Sequence, residues 1–117
     1  EATMEALPLA AAMLGGLDVS SAVILNFTGN VEQKVVQYNC EQPEPLTVRY
    51  VNAAPNYLAF LTVEGRTLVF VTVLSGSGAK YAAGEYEWWT KGSEATLANL
   101  TTPDSAPIAC TEISETP

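Results

Sequence analysis

The chain has 117 residues, of which 48% are hydrophobic and 15% charged, so it is long enough for one domain with its own core and too short for two. Thirteen acidic residues against five basic ones give a formal net charge of -8, which disfavours nucleic acid as a partner and favours a basic protein. Histidine is absent, which excludes Ser-His-Asp and Cys-His catalysis, and we expect no metal, no cofactor and no enzymatic activity.

Residues 1–33 differ in composition from the rest and are predicted to form an N-terminal extension. An alanine-rich stretch over 4–14, followed by two glycines, predicts a short helix or an unstructured lead. Residues 19–27 are rich in β-branched side chains and could supply an additional strand or pack over the domain. The most apolar segment, 7–17, is too short for a membrane span, and we expect no integral membrane segment.

The first residue is glutamate rather than methionine, so we expect a mature or trimmed form from which an export signal has been removed. Any residues of a lipid anchor would have been removed with that signal.

From Lys34 onward, short β-prone runs alternate with turn signals, which is typical of an all-β sandwich or barrel. Eight strands are predicted, at Lys34–Cys40, Leu46–Asn52, Asn56–Val63, Arg66–Leu74, Lys80–Ala83, Glu85–Lys91, Glu94–Leu100 and Pro107–Ile113. Their connections are too short for parallel crossovers, and closure removes sheet edges, so we predict a small eight-stranded antiparallel β-barrel of lipocalin-like appearance. This domain spans 34–113, and a tail follows over 114–117.

The fourth predicted strand is apolar on both of its alternating faces over Leu68–Leu74. A strand exposed to solvent on its outer side should show a polar residue at every second position. Something must therefore cover the outer face, and both the N-terminal segment and a second copy of the chain, in a homodimer, fit this pattern.

The two cysteines, Cys40 and Cys110, are too few and too far apart to frame a zinc site. A single disulfide, and with it an oxidising compartment, is favoured over two buried free thiols.

The segment SGSGAKYAAGEYEWWTKGSEA, residues 75–95, contains the densest functional signal. Two glycines flank Ser77 and let the backbone bend sharply, which presents its hydroxyl at a loop tip. Strict alternation over Glu85–Lys91 places Trp88 on one face and Trp89 and Lys91 on the other, so one tryptophan should be buried.

Taken alone, this segment needs no function, since Lys91 lies near Glu87 and Glu94 and predicts a weak exposed ion pair. The joint motif, SGSGAKY at 75–81 and WTKGSEA at 89–95, nevertheless resembles the MliC/PliC family of bacterial C-type lysozyme inhibitors. The resemblance covers roughly 34–113 and includes Tyr38-Asn39-Cys40 and the terminal Cys110, like the cysteines that the family bridges.

The resemblance implies an eight-stranded barrel that is exported to the periplasm or tethered to the outer membrane and that plugs the cleft of C-type lysozyme. In the family, the loop serine and the lysine of W-T-K-G enter the cleft, and the matching residues are Ser77 and Lys91. Lys80, Tyr81 and Thr90 lie beside them and are expected at the rim, with Tyr81 as an aromatic anchor.

Two alternatives belong to other classes of protein. Small closed barrels can hold an apolar ligand in the lumen, so a periplasmic carrier is the second hypothesis. An enzyme is the least favoured, because the carboxylates are scattered and no pair stands out as acid and base.

Overall fold

Eight antiparallel strands in simple up-and-down order close into a barrel in the computed structural model, which describes residues 21–113. The strands are β1 (Glu32–Asn39), β2 (Leu46–Ala53), β3 (Asn56–Val63), β4 (Arg66–Val73), β5 (Ala79–Ala83), β6 (Tyr86–Lys91), β7 (Glu94–Asn99) and β8 (Ile108–Glu112). The prediction of an eight-stranded antiparallel barrel is confirmed.

All eight predicted strands are present, with ends that differ from the prediction by at most two residues. The largest difference is at β1, which begins at Glu32 rather than at Lys34, because its first residue already pairs with Asn52. The helix predicted over 4–14 and the tail over 114–117 lie outside the described residues. Of the strand considered for 19–27, the described part, 21–27, contains no strand. Within 21–113 there is no helix long and apolar enough to cross a bilayer.

Because neighbouring strands are antiparallel, successive connections alternate between the two ends of the barrel. The β4–β5 loop, residues 74–78, and the β6–β7 turn, residues 92–93, therefore lie at the same end. We call this the site end. The β1–β2, β3–β4, β5–β6 and β7–β8 connections lie at the opposite end.

The centre of the barrel is filled by large side chains. Those with the lowest exposure are Trp88, Phe70, Leu61 and Val48. The Tyr38 and Tyr50 hydroxyls lie 2.7 Å apart, and the Trp88 indole N–H donates to the Tyr50 oxygen at 2.9 Å. Burial, together with the bond to Tyr50, raises the pKa of Tyr38, so its hydroxyl remains a neutral member of this network. The prediction that one tryptophan of the pair is buried is confirmed.

The closing contact between β1 and β8 is the shortest in the barrel. The two strands pair through only Tyr38–Glu112 and Asn39–Thr111, whereas β1 and β2 pair through seven residues on each strand. The predicted disulfide, Cys40–Cys110, joins the chain just after β1 to the middle of β8. A covalent bond therefore reinforces the contact with the fewest backbone pairs.

The outer face of β4 is apolar, as the sequence indicates, but the cover predicted for it is not present among the described residues, and residues 1–20 of the N-terminal segment lie outside them. Val69 and Val71 are about half exposed, and Val71 pairs with Leu58 on β3 and Ala82 on β5 to make an apolar row. Association of two barrels through this face stays a prediction.

Replacing Cys40 and Cys110 together by alanine should lower the free energy of unfolding by about 4 kcal/mol, because the bridge closes a long loop and restricts the unfolded chain. Urea denaturation followed by tryptophan fluorescence measures the loss. Wild-type protein in a strong reductant is the matched control, and its denaturation midpoint should equal that of the double variant. An unchanged midpoint in the double variant would mean that the backbone ladder alone holds β1 to β8.

Candidate functional site

The β4–β5 loop is fixed at the site end by hydrogen bonds to its tip. The backbone carbonyl of Ser77 accepts one bond from the Trp89 indole N–H, at 2.9 Å, and a second from the Ser75 hydroxyl. The residue itself is exposed, while its backbone carbonyl is held by these two bonds. The sequence-based expectation of a presented serine at a bent loop tip agrees with this geometry.

The loop also rests directly on the end of β6. Gly78 has φ +66°, and a Cβ added there would lie 2.2 Å from the Thr90 carbonyl oxygen and 2.8 Å from Cγ of Lys91. Only a residue without a side chain permits this approach. The Thr90 hydroxyl adds a bond to the Ala79 carbonyl at 3.3 Å. The chain next to Ser77 is therefore in van der Waals contact with Lys91.

Two cations converge on one indole ring at this end. The ammonium nitrogens of Lys91 and Lys80 lie 4.0 and 4.2 Å from the centroid of the Trp89 ring. Lys91 is two residues from Trp89 on the same outward face of β6, and Lys80 on β5 is the Cα partner of Trp89. Each such contact is worth about 0.5–1 kcal/mol at an exposed position.

The two lysines differ in their carboxylate partners. Lys80 is half-buried and pairs with Glu87 at 3.8 Å. Lys91 is exposed, and within residues 21–113 no carboxylate lies within 4.0 Å of its ammonium, although Glu94 is its Cα partner across the β6–β7 ladder. The ion pair expected between Lys91 and Glu87 or Glu94 is therefore absent from the described residues, because the Lys91 ammonium lies over Trp89 and Glu87 pairs with Lys80.

The remaining predicted site residues are less accessible. Tyr81 is only 8% exposed, with its ring 5.8 Å from that of Tyr50, and burial raises its pKa. Its expected place as an aromatic anchor at the rim is corrected: even-odd alternation on β5 turns Lys80 outward and Tyr81 into the core. Thr90 is half-buried, and its hydroxyl is occupied by the bond to Ala79.

Trp89 is the site residue that the sequence prediction missed, and Gly78 was expected to let the loop bend but not to pack against β6. The outward alternation of Trp89 with Lys91 was a usable signal. The cross-strand pairing with Lys80 and the contact of Gly78 with Thr90 needed the strand register.

A cavity of about 840 Å³ opens at the opposite end of the barrel. Its wall includes the disulfide and the apolar side chains of Leu46, Val63, Leu97 and Ile108, with Glu44 and Glu64 among its polar residues. The described residues contain no group of three histidine, cysteine or acidic side chains that could hold a metal ion. Because the cavity opens at the opposite end of the barrel, it is separate from the site end.

Fold and site together define a class of protein, a closed up-and-down barrel that presents a fixed loop and an exposed lysine at one end, and the known proteins that it resembles are named as lysozyme inhibitors. Residues 38–105 match the family described as membrane-bound lysozyme-inhibitor of c-type lysozyme. The match covers more than half of the chain, and the chain belongs to this family.

Among individual relatives, the chain is 53% identical over 68 residues to the membrane-bound lysozyme inhibitor of C-type lysozyme of Pseudomonas aeruginosa, covering 57% of this chain and 54% of the relative. It is 42% identical over 73 residues to the inhibitor of the same name from Cupriavidus necator, covering 62% and 58%. The chain thus spans somewhat over half the length of these curated relatives.

A solved structure, that of Pseudomonas aeruginosa MliC in complex with hen egg white lysozyme, is similar to this barrel. Its TM-score is 0.67 at 40% sequence identity, and the similarity covers 82% of this chain and 100% of that chain.

Replacing Gly78 by alanine should loosen the loop from β6 and lower the free energy of unfolding by about 1–3 kcal/mol, because the new Cβ collides with a backbone oxygen and φ is positive. Hydrogen exchange of the Trp89 indole N–H should become faster. Gly76→Ala is the matched control, since nothing lies within 4 Å of a Cβ there, and it should change neither measurement appreciably. Equal effects of the two substitutions would contradict the assigned contact.

Proposed function

We propose that this chain inhibits C-type lysozyme by occupying the catalytic cleft with the Ser77 loop and the Lys91 side chain, without chemistry of its own. One observation supports this most directly: Gly78 brings the serine loop into contact with the exposed lysine, so that both groups project from one end of the barrel. Membership of the family supports the class of activity, and the solved relative in complex with hen egg white lysozyme supports the kind of partner.

The two groups suit the chemistry of the cleft. A retaining glycosidase works with two carboxyl groups about 5 Å apart, one of which stays ionised while the other must be protonated. The Lys91 ammonium can pair with the ionised carboxylate. The Ser77 hydroxyl can donate to, or accept from, the protonated carboxyl group. One cation and one neutral hydroxyl therefore match the two acids better than two cations would.

Rigidity at the site end offsets part of the cost of binding. Burying Lys91 in the cleft removes water from its ammonium, so the pair that it forms must have good geometry to be net favourable. The loop loses little freedom on binding, because two hydrogen bonds already hold the Ser77 carbonyl. Lys80 and Thr90 lie beside the two inserted groups and form the rim.

The charge of the whole chain favours the same partner. A net charge of -8 attracts a basic protein over distances of about one Debye length, roughly 10 Å at moderate salt. The disulfide requires an oxidising compartment, which fits an export route to the periplasm or to the outer membrane. We therefore place the inhibitor outside the cytoplasm, where it meets lysozyme.

Lys91→Ala and Ser77→Ala should each weaken inhibition of hen egg white lysozyme, and the double variant should lose about 2 kcal/mol or more of binding free energy, roughly 30-fold, because both groups are desolvated at the centre of the contact. Inhibition constants from a cell-wall lysis assay measure this at low and high salt. Association of the wild-type protein should slow as salt rises.

Arg66→Ala is the matched control, because it removes one positive charge from the first residue of β4, which lies at the opposite end of the barrel. It should leave the inhibition constant within a factor of about two. Full inhibition by the Ser77/Lys91 double variant would refute the assigned site, whereas absence of inhibition by wild-type protein would refute the proposed activity itself.

The carrier hypothesis has one specific place in the structure, the cavity opposite the site end. The middle of the barrel is filled by side chains such as Trp88 and Phe70, which have no exposed surface, so a ligand would have to sit in the open cavity beside the disulfide. Native mass spectrometry of freshly purified protein should give the mass of the bare chain if inhibition is the sole function. An apolar ligand retained by wild-type protein and lost on Leu97→Glu would favour the carrier.

A further inference from the structure

Lys91 lies in an unfavourable place for a cation that must remain available to a partner. The chain carries thirteen acidic residues against five basic ones, and Glu94 is directly opposite Lys91 at the end of the β6–β7 ladder. Directly opposed residues of opposite charge normally attract each other across a sheet. In the described part of the chain this pair nevertheless forms no ion pair, since the lysine side chain runs to Trp89 instead.

The Trp89 ring is itself held in place from two sides. Its indole N–H is bonded to the Ser77 carbonyl, which prevents the ring from rotating away from the loop. Its cross-strand partner Lys80 lies over the ring at 4.2 Å and is anchored by Glu87. A fixed aromatic face thus lies 4.0 Å from the Lys91 ammonium, and the attraction of a cation to such a face is comparable to that of an exposed ion pair.

We propose that Trp89 is a positioning residue that keeps the Lys91 ammonium away from Glu94, and so leaves it free to pair with a carboxylate of the partner. The proposal rests on the proposed function of Lys91. An ion pair with Glu94 would have to be broken before Lys91 could enter a cleft, and its carboxylate would then compete with that of the partner, whereas the ring face carries no negative charge that competes for the ammonium. Trp89 then links both inserted groups, holding the serine loop through its N–H and the lysine through its face.

This arrangement predicts a coupling between Trp89 and Glu94 that no purely structural role of the tryptophan would produce. When the ring is removed, Lys91 should turn to Glu94 and become less available. Neutralising Glu94 should then restore part of the availability of Lys91 that was lost with the ring. In the wild-type protein the same neutralisation has little to restore, because the ring already holds the lysine.

The test is a double-mutant cycle on inhibition of hen egg white lysozyme by the full chain, using wild type, Trp89→Leu, Glu94→Gln and the double variant. Trp89→Leu should raise the inhibition constant about 5-fold. We then compare the factor by which Glu94→Gln lowers the inhibition constant in each background. This factor should be at least about 3 times larger in the Trp89→Leu background than in wild type. Because Glu94→Gln removes the same charge in both backgrounds, general attraction to a basic partner cancels. Equal effects in the two backgrounds would overturn the proposal.

Two further variants identify the source of any coupling. Glu44→Gln removes a carboxylate at the opposite end of the barrel and should show no dependence on the background. Trp89→Phe keeps an aromatic face but lacks the N–H, so its response to Glu94→Gln should stay close to that of wild type. A phenylalanine variant that couples to Glu94 as strongly as the leucine variant does would contradict a role for the ring face.

A measurement without lysozyme separates this proposal from the proposed function. In proton–carbon NMR spectra of the free protein, the indole ring current should shift the Lys91 side-chain methylene resonances upfield, and Trp89→Leu should abolish the shift. Unshifted Lys91 resonances in folded wild-type protein would overturn the positioning role even if inhibition is strong. Shifted resonances combined with an unaltered inhibition constant for Lys91→Ala would instead place the failure in the proposed function.

Discussion

The short contact between β1 and β8 is the constraint on which the rest of the molecule depends. Only two residue pairs close the barrel there, and the Cys40–Cys110 bridge joins the residue that follows β1 to the middle of β8. Closure gives each strand an inner and an outer face, which separates Trp88 in the core from Trp89 at the surface. Without that contact the sheet would have two open edges. It would then no longer enclose one face of each strand, and side chains such as Trp88 and Trp89 would not be separated into a core and a surface.

The site end shows how a strongly acidic chain can present a positive charge. Both of its lysines lie over the Trp89 ring, but Lys80 is also paired with Glu87, whereas Lys91 has no carboxylate within 4.0 Å in the described part of the chain. In the proposed complex, the acidic remainder of the chain would provide long-range attraction to a basic partner, and the Lys91 ammonium at the end of β6 would provide the local contact. Net charge and local charge thus have opposite signs and act at different distances.

The up-and-down topology separates the projecting loop and lysine of the site end from the cavity beside the disulfide. The fixed loop and Lys91 lie at the site end, while the cavity beside the disulfide opens at the other. Between them the lumen is closed by the tyrosine and tryptophan network around Tyr50. A molecule bound in the cavity would therefore not touch the residues that we assign to inhibition.

The amino-acid pattern alone determined the number of strands and their ends to within two residues, because turn residues and period-two alternation are local properties of the chain. The presence of only two cysteines favoured their disulfide, whereas the candidate pair Ser77 and Lys91 came from the resemblance to a known family. Tertiary structure decided what depends on register. It turned Tyr81 into the core, paired Glu87 with Lys80, and brought Trp89 and Gly78 against the serine loop. These contacts join residues on different strands, and cross-strand neighbours are set by hydrogen-bond register rather than by spacing along the chain.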